Sequence, residues 1–463
     1  MGEKRQAIYD ATTLGKPKMM LLGLQHMFAM FGATILVPIL VNGYFNGEGL
    51  SVQVTLFFAG IGTLLFHVFS KFKVPAFLGS SFAFLGGFST IANLNTGKFE
   101  NMTYGEKLPY ACGGIVVAGL LYLVLAVVIK LVGVKKVMRF LPPVVTGPII
   151  ICIGLSLAPS AIGNASVNWP LALVALLVVI IFNIWGKGMW KIIPILMGVV
   201  ISYVVAVIMQ AVGFTNVDGS PIIDYAPIAT ASWVGIPKFI VAKFDITAIL
   251  VMAPIAIATM MEHIGDISAI SATTDKNFIE DPGLHRTLFG DGLATALAGM
   301  FGGPANTTYG ENTGVLELSK VYDPKVVEIA AVYAIVISFI PKVADIIGTM
   351  PTAIIGGISF ILYGMISAIG VRNVVENKVD FTKSRNLIVA AVILVSGLGF
   401  SSGLTFTVGT TTITLTSLAI AAILGILLNA ILPGNDYNFG ENFKGDINRG
   451  VSFNNFEEED KIS

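Results

Sequence analysis

Asn306-Thr307-Thr308-Tyr309-Gly310-Glu311-Asn312-Thr313-Gly314 places a carboxylate and a carboxamide at the start of an apolar helix. The surrounding chain is so apolar that this helix is expected to lie within lipid. No water is present there to solvate Glu311, and burying its charge costs a few kcal/mol on insertion scales, or roughly 10 and more by simulation. A charge so placed normally faces a polar cavity or a ligand. An earlier stretch, Pro75-Ala76-Phe77-Leu78-Gly79-Ser80-Ser81-Phe82, matches Pro304-Ala305-Asn306-Thr307-Thr308-Tyr309-Gly310-Glu311 position for position. Both begin with residues that suit extended backbone and pass through glycine into helix. Non-helical backbone at that depth is tolerated only inside protein or along a cavity. Two such stretches facing each other are expected to pair as short antiparallel strands. Each following half-helix then points its positive N-terminal end at a common site.

Composition fixes the class. Of 463 residues, 55% are apolar and 12% charged, against a usual charged share of about 25%. Apolar runs of about 20 residues recur, for example at 19–40, 110–132, 190–212 and 417–432, each long enough to cross a hydrocarbon core of about 30 Å. The ten-residue alternation of a membrane barrel is absent. The reading is an all-α polytopic membrane protein, with the two strands as its exception. No removable signal peptide is expected over residues 1–18. Cys112 and Cys152 sit in apolar runs and read as packing residues, and no metal-ligand spacing occurs. There is no basic stripe and no module for nucleic acid.

Fourteen segments are expected, starting near residues 19, 54, 78, 108, 141, 170, 190, 246, 288, 305, 326, 350, 385 and 415. With a cytoplasmic N-terminus, all Lys and Arg but Lys98, Lys107, Lys238, Lys243 and Lys342 fall on the inner side. That bias supports this orientation through the positive-inside rule, with both termini in the cytoplasm. The tail after Asn435 is polar and carries Glu457-Glu458-Glu459-Asp460, so it is expected to be disordered.

Three landmarks recur in order in the two halves: Gln25-His26 and Glu262-His263, the two proline-led stretches above, and Leu141-Pro142-Pro143 against Met350-Pro351-Thr352. Seven segments per copy is odd, so the second copy enters the membrane inverted. Inverted repeats with paired interrupted segments are an architecture of secondary transporters, with the substrate near the midplane where those segments meet.

Glu262 and Asp266 are four apart on one helix and share a face. Two carboxylates that close at membrane depth do not both ionise cheaply, so one is expected to hold a proton, as a proton-coupled carrier requires. Glu262 and Glu311 are acceptors when ionised and suit a neutral ligand with N–H donors on two edges. Backbone N–H groups at Phe82 and Gly310 answer ligand carbonyls. A pyrimidine or purine base has that pattern. A sugar asks for more amides and aromatic platforms, and an anion asks for Arg or Lys, which the broken segments lack. His26 lies opposite Glu262 by the repeat and reads either as a core residue or as a ligand contact. Tyr363 faces the other repeat unit. A membrane-embedded enzyme needs a catalytic constellation that four scattered histidines do not supply.

These residues resemble the nucleobase–ascorbate transporter family and, within it, the bacterial uracil permeases. The specific pieces are Gln25 to Thr34, Leu78-Gly79-Ser80-Ser81-Phe82-Ala83-Phe84, Glu262-His263-Ile264-Gly265, Asp281-Pro282-Gly283-Leu284-His285-Arg286 and the Asn306 to Gly314 motif. The resemblance implies two inverted sevens. The core domain comprises residues 1–140 and 246–347, the gate domain 141–245 and 348–434, and 435–463 forms a cytoplasmic tail. It further implies a homodimer in the cytoplasmic membrane that takes up uracil with protons and needs no other cofactor. By motif, Glu262 and Glu311 hold the base, the backbone of Phe82 and Gly310 meets its carbonyls, and Ser81, Tyr309, Tyr363 and His26 complete the contacts. Glu262, Asp266, Glu311 and Asn312 are the proton-coupling set. Asp266 resembles the purine-transporting branch and some uracil permeases. Glu311 before Asn312 points to uracil, because the purine branch places glutamine there. The alternatives are a xanthine or urate permease of the same family and an anion transporter of the same architecture.

Overall fold

The computed structural model describes residues 7–408, 411–435 and 437. The tail expected to be disordered, with Glu457 to Asp460, lies outside them. The first half contains helices α1 (Lys16–Tyr44), α2 (Val52–Phe69), α3 (Leu85–Ala92), α4 (Tyr104–Val132), α5 (Pro143–Ser156), α6 (Ala158–Ser166), α7 (Trp169–Trp185) and α8 (Pro194–Ala211), with strand β1 (Leu78–Ser80) between α2 and α3. The second half contains α9 (Ile246–Met252), α10 (Ile255–Thr274), α11 (Leu284–Met300), strand β2 (Asn306–Thr308), α12 (Gly310–Ser319), α13 (Pro324–Ser338), α14 (Pro341–Gly348), α15 (Thr352–Glu376) and α16 (Ser384–Gly399). Strands β3 (Leu404–Val408) and β4 (Thr411–Leu415) and helix α17 (Ser417–Ile431) follow.

Among the described residues, seven helices are long and apolar enough to cross a membrane, or eight if the pair α13–α14, bent by 86°, counts as one span. The outer faces of the apolar helices, the shorter α7 included, are those of lipid-facing helices. Leu173, Leu177, Ile181 and Ile184 recur on one side of α7 and are all exposed, as are Leu120, Val124, Val127 and Leu131 on α4. Inner faces use small residues for close approach. Gly119 of α4 and Gly292 of α11 pack so tightly that a Cβ at Gly119 meets the backbone of Ala296 at 2.6 Å.

The helix starts follow local chemistry. Ser51 accepts from Val54 N to cap α2, Thr103 and Glu106 form a capping box on α4, and Thr416 caps α17; each satisfies N–H groups that have no partner within the helix. The third landmark is visible here, since α5 begins right after Pro142 and α15 right after Pro351. Two expected starts differ. The run from 190 opens on a single helical turn, Met189–Ile192, breaks at Ile193 (φ −119°, ψ 42°) and resumes as α8 at Pro194, because proline suits the first helical position. Ahead of α17 the chain forms the β3–β4 hairpin, in which Leu404 pairs with Leu415 and Thr405 with Thr414. Its β-branched residues favour strand over helix.

β1 and β2 pair antiparallel, with Leu78 opposite Thr308, Gly79 opposite Thr307 and Ser80 opposite Asn306. The ladder continues through Ser81 N to Ala305 O at 2.8 Å and Tyr309 N to Phe77 O at 3.0 Å. A local two-fold through the Gly79/Thr307 pair therefore exchanges Leu78 with Asn306, Ser81 with Tyr309 and, one step on, Phe82 with Gly310. That correspondence sits one residue away from the match made on the prolines, which set Phe82 against Glu311. The physical reason is that strand pairing, not proline spacing, fixes the register.

Candidate functional site

The strand pair is fully buried, and Gly79 is the reason it can sit where it does. A Cβ there would run into the ring of Tyr309 and meet Thr34 Oγ1 at 2.8 Å. Tyr309 in turn donates its hydroxyl proton to Ser80 O at 2.9 Å, and Ser80 Oγ donates to Thr34 O at 2.9 Å. The phenol is thus spent on holding β1. Beyond the strands the two chains enter helix, through a tight turn at Phe82–Phe84 and directly at Gly310. Glu311 lies in the first turn of α12, where the helix dipole favours a carboxylate.

Helix α10 brings Glu262 and Asp266 against this pair. Asp266 is 6% exposed, and its Oδ2 accepts from Thr308 Oγ1 at 2.6 Å. It is therefore tied to β2 rather than solvated at a helix end. Glu262 Oε2 is buried and has no hydrogen-bond partner among the described residues. A buried acceptor of that kind calls for a donor from outside the fold.

Phe82, Glu262, Asp266, Thr308, Tyr309, Gly310 and Glu311 all line one cavity of 1080 Å³. The opposite wall is apolar and comes from other helices, with Ile150 of α5 and Met365 and Ile369 of α15. The cavity runs on to Lys191, Arg372 and Glu376, where the Arg372–Glu376 ion pair is 63% and 44% exposed. Both glutamates therefore share one void that opens to solvent at the basic end. The void offers carboxylate acceptors on one side and an apolar wall on the other.

The remaining expected site residues are not on that surface. Tyr363 is 2% exposed and packs edge-on against Phe82, with ring centroids 6.0 Å apart. It shapes the wall from behind. Asn312 donates to His26 O at 3.0 Å and lies 3.2 Å from His26 Nδ1, so these two tie α12 to α1 beneath the cavity. Ser81 Oγ is buried without a partner among the described residues and away from the cavity lining.

Two features escaped the sequence reading. His263 is not an idle neighbour of Glu262. Its Nδ1 lies 2.7 Å from Asp291 Oδ2, with both side chains fully buried. The signal was a lone aspartate in an apolar run, Gly290-Asp291-Gly292, which at membrane depth asks for a partner. Thr308 as the anchor of Asp266 carried no such signal, because a threonine in an extended stretch looks like any other.

The defining pattern of a permease family matches residues 17–406. The chain belongs to that family. It is 40% identical over 442 residues to the uracil permease of Bacillus caldolyticus, covering 92% of this chain and 94% of the relative. Identity to the uracil permease of Bacillus subtilis (strain 168) is 39% over 429 residues, covering 89% and 91%. Both relatives are named for transport, and the family places this chain among multi-pass membrane permeases rather than enzymes. The transmembrane domain of a cyanobacterial bicarbonate transporter has the same fold, with a TM-score of 0.60 at 15% identity over 90% of this chain and 99% of that domain.

Proposed function

We propose that this permease carries uracil into the cell across the cytoplasmic membrane, coupled to protons, by alternating access. The observation that carries the reading is the convergence of Glu262 and Glu311, on different helices, upon one cavity that also takes in Phe82 and Gly310. Uracil has two ring N–H donors and two carbonyls. The carboxylates suit the donors, and N–H groups at the helix starts beyond β1 and β2 suit the carbonyls. The names of the relatives favour the same substrate.

The transport cycle moves two bodies, each contributed by both halves of fourteen segments arranged as inverted sevens. The core is 1–140 with 246–347, and the gate is 141–245 with 348–434. The cavity lies between them: Glu262, Asp266 and Glu311 belong to the core, and Ile150, Met365 and Ile369 to the gate. Its open end carries Lys191 and Arg372, which the charge bias puts on the cytoplasmic side, so the arrangement is inward-facing. Glu262, Asp266 and Glu311 share the coupling proton, with Asn312 and His26 behind them. The protein works as a homodimer with both termini, and the tail from 435, in the cytoplasm.

A purine reading is separated by Glu311→Gln, which preserves xanthine transport in a purine carrier and abolishes binding in a uracil carrier. An anion reading is opposed by the carboxylates at the buried end of the cavity. The deciding experiment is labelled uracil uptake competed by unlabelled uracil, xanthine and adenine, with and without a protonophore. Uptake blocked by uracil alone and collapsed by the protonophore is expected; competition by xanthine instead, or indifference to the protonophore, overturns the proposal.

A further inference from the structure

A two-stranded sheet has two outer edges, and each carries backbone groups that the ladder cannot pair. With Phe77, Ser81, Ala305 and Tyr309 bonded across the pair, the alternation of an antiparallel ladder turns Leu78 and Asn306 outward. At this depth an unpaired N–H or C=O costs several kcal/mol. At Leu78 and Asn306 the edges are closed by one threonine from each half. Thr63 of α2 accepts from Leu78 N at 2.9 Å, and its hydroxyl proton faces Leu78 O at 3.2 Å and Ala59 O at 2.7 Å. Thr295 of α11 accepts from Asn306 N at 3.1 Å and donates to Asn306 O at 3.1 Å.

Leu78 and Asn306 exchange under the local two-fold of the strand pair, so the two hydroxyls stand in equivalent places. The relation is not one of sequence spacing. Thr63 lies 15 residues before its strand partner and Thr295 lies 11 before its own. Two helices of unlike connection arrive at the same bond. Both threonines are buried, and neither lines the cavity.

We propose that Thr63 and Thr295 are a matched pair of positioning residues that set the strand register, and through it the N–H groups at Phe82 and Gly310 that receive the base. Phe82 and Gly310 lie four residues beyond the anchored Leu78 and Asn306, and they too exchange under the two-fold. A strand freed at its outer edge shifts the helix start that follows it. This inference rests on the nucleobase reading given above.

The test uses the full chain, purified, with uracil binding measured by calorimetry and backbone amide exchange followed by mass spectrometry. Thr63→Val and Thr295→Val keep the volume and remove the hydroxyl. Each is expected to weaken uracil binding about tenfold at an unchanged number of sites, the loss of roughly one buried hydrogen bond. Thr63→Ser and Thr295→Ser are expected to restore it. Amide exchange separates positioning from general loosening, because Thr63→Val speeds exchange mainly around 78–82 and Thr295→Val mainly around 306–310. If valine prevents folding, Thr63→Cys and Thr295→Cys are read in the same way. Valine variants that bind uracil as the parent does, or a loss that serine does not repair, overturn the proposal. A parent protein that binds no uracil overturns the functional reading and this inference with it.

Discussion

The stretches 78–92 and 306–319 follow the same backbone course, strand to helix start, yet they bring opposite chemistry to the cavity. After β1 comes Ser81-Phe82-Ala83-Phe84, with one hydroxyl and no charge; after β2 comes Tyr309-Gly310-Glu311-Asn312. Only Phe82 of the first run lines the cavity, whereas Tyr309, Gly310 and Glu311 of the second all do. Helix α10 adds Glu262 and Asp266, so every carboxylate at the buried end comes from the second half. The first half offers a ring and a backbone. The symmetric frame therefore presents an asymmetric lining, and breaking either half should fail in a different way.

The largest effect belongs to the second half. Glu262→Ala and Glu311→Ala are each expected to weaken uracil binding roughly 10- to 150-fold, because each removes a charge-assisted hydrogen bond of about 1.5–3 kcal/mol in a buried site. Titration calorimetry on monodisperse protein checks this, and wild-type affinity in either variant removes that residue from the site. On the first half, Phe82→Ala keeps the backbone N–H and removes the ring with its edge-on contact to Tyr363. Binding is expected to fall by roughly 3- to 10-fold, in line with about 0.5–1.5 kcal/mol for an aromatic pair beyond its area. A loss as deep as that of Glu311→Ala would mean that the two halves are equal in energy as well as in shape.

That asymmetry was legible in the sequence for one reason. A carboxylate in an apolar run is conspicuous, since lipid leaves it no other partner, and so Glu262, Glu311 and Asp266 stood out. The membrane class and the two broken segments were legible from run lengths, prolines and glycines. The register of β1 on β2 was not, because Pro75 and Pro304 are equivalent in role but one step off in pairing. The hairpin at 404–415 was overlooked beside the apolar run at 417–432, although Leu404-Thr405-Phe406-Thr407-Val408 is rich in β-branched residues. Thr63 and Thr295 were illegible in principle. A hydroxyl on an apolar helix can bond its own preceding turn, as Thr63 also does with Ala59 O, and only the placed strand reveals its second partner.

Within the second half, Asp266 and Glu262 are separable. Asp266→Asn keeps an oxygen that accepts from Thr308 Oγ1 but loses the carboxylate proposed to exchange a proton. Its effect on uracil affinity is expected to be smaller than that of Phe82→Ala, while the rise of uptake at acidic external pH flattens. Initial rates in vesicles across external pH decide it; an unchanged pH profile removes Asp266 from the coupling set.

The smallest effect on binding is expected one layer deeper. Asn312→Ala breaks the bond from α12 to His26 O, an interhelical hydrogen bond of about 0.6 kcal/mol on average and up to about 1.7 in membrane proteins. Because Asn312 and His26 do not line the cavity, the loss should appear as lowered thermal stability in detergent, with uracil affinity nearly unchanged. If Asn312→Ala instead flattens the pH profile as Asp266→Asn does, the proton path runs beneath the cavity through α1. The first half then contributes to coupling as well as to shape.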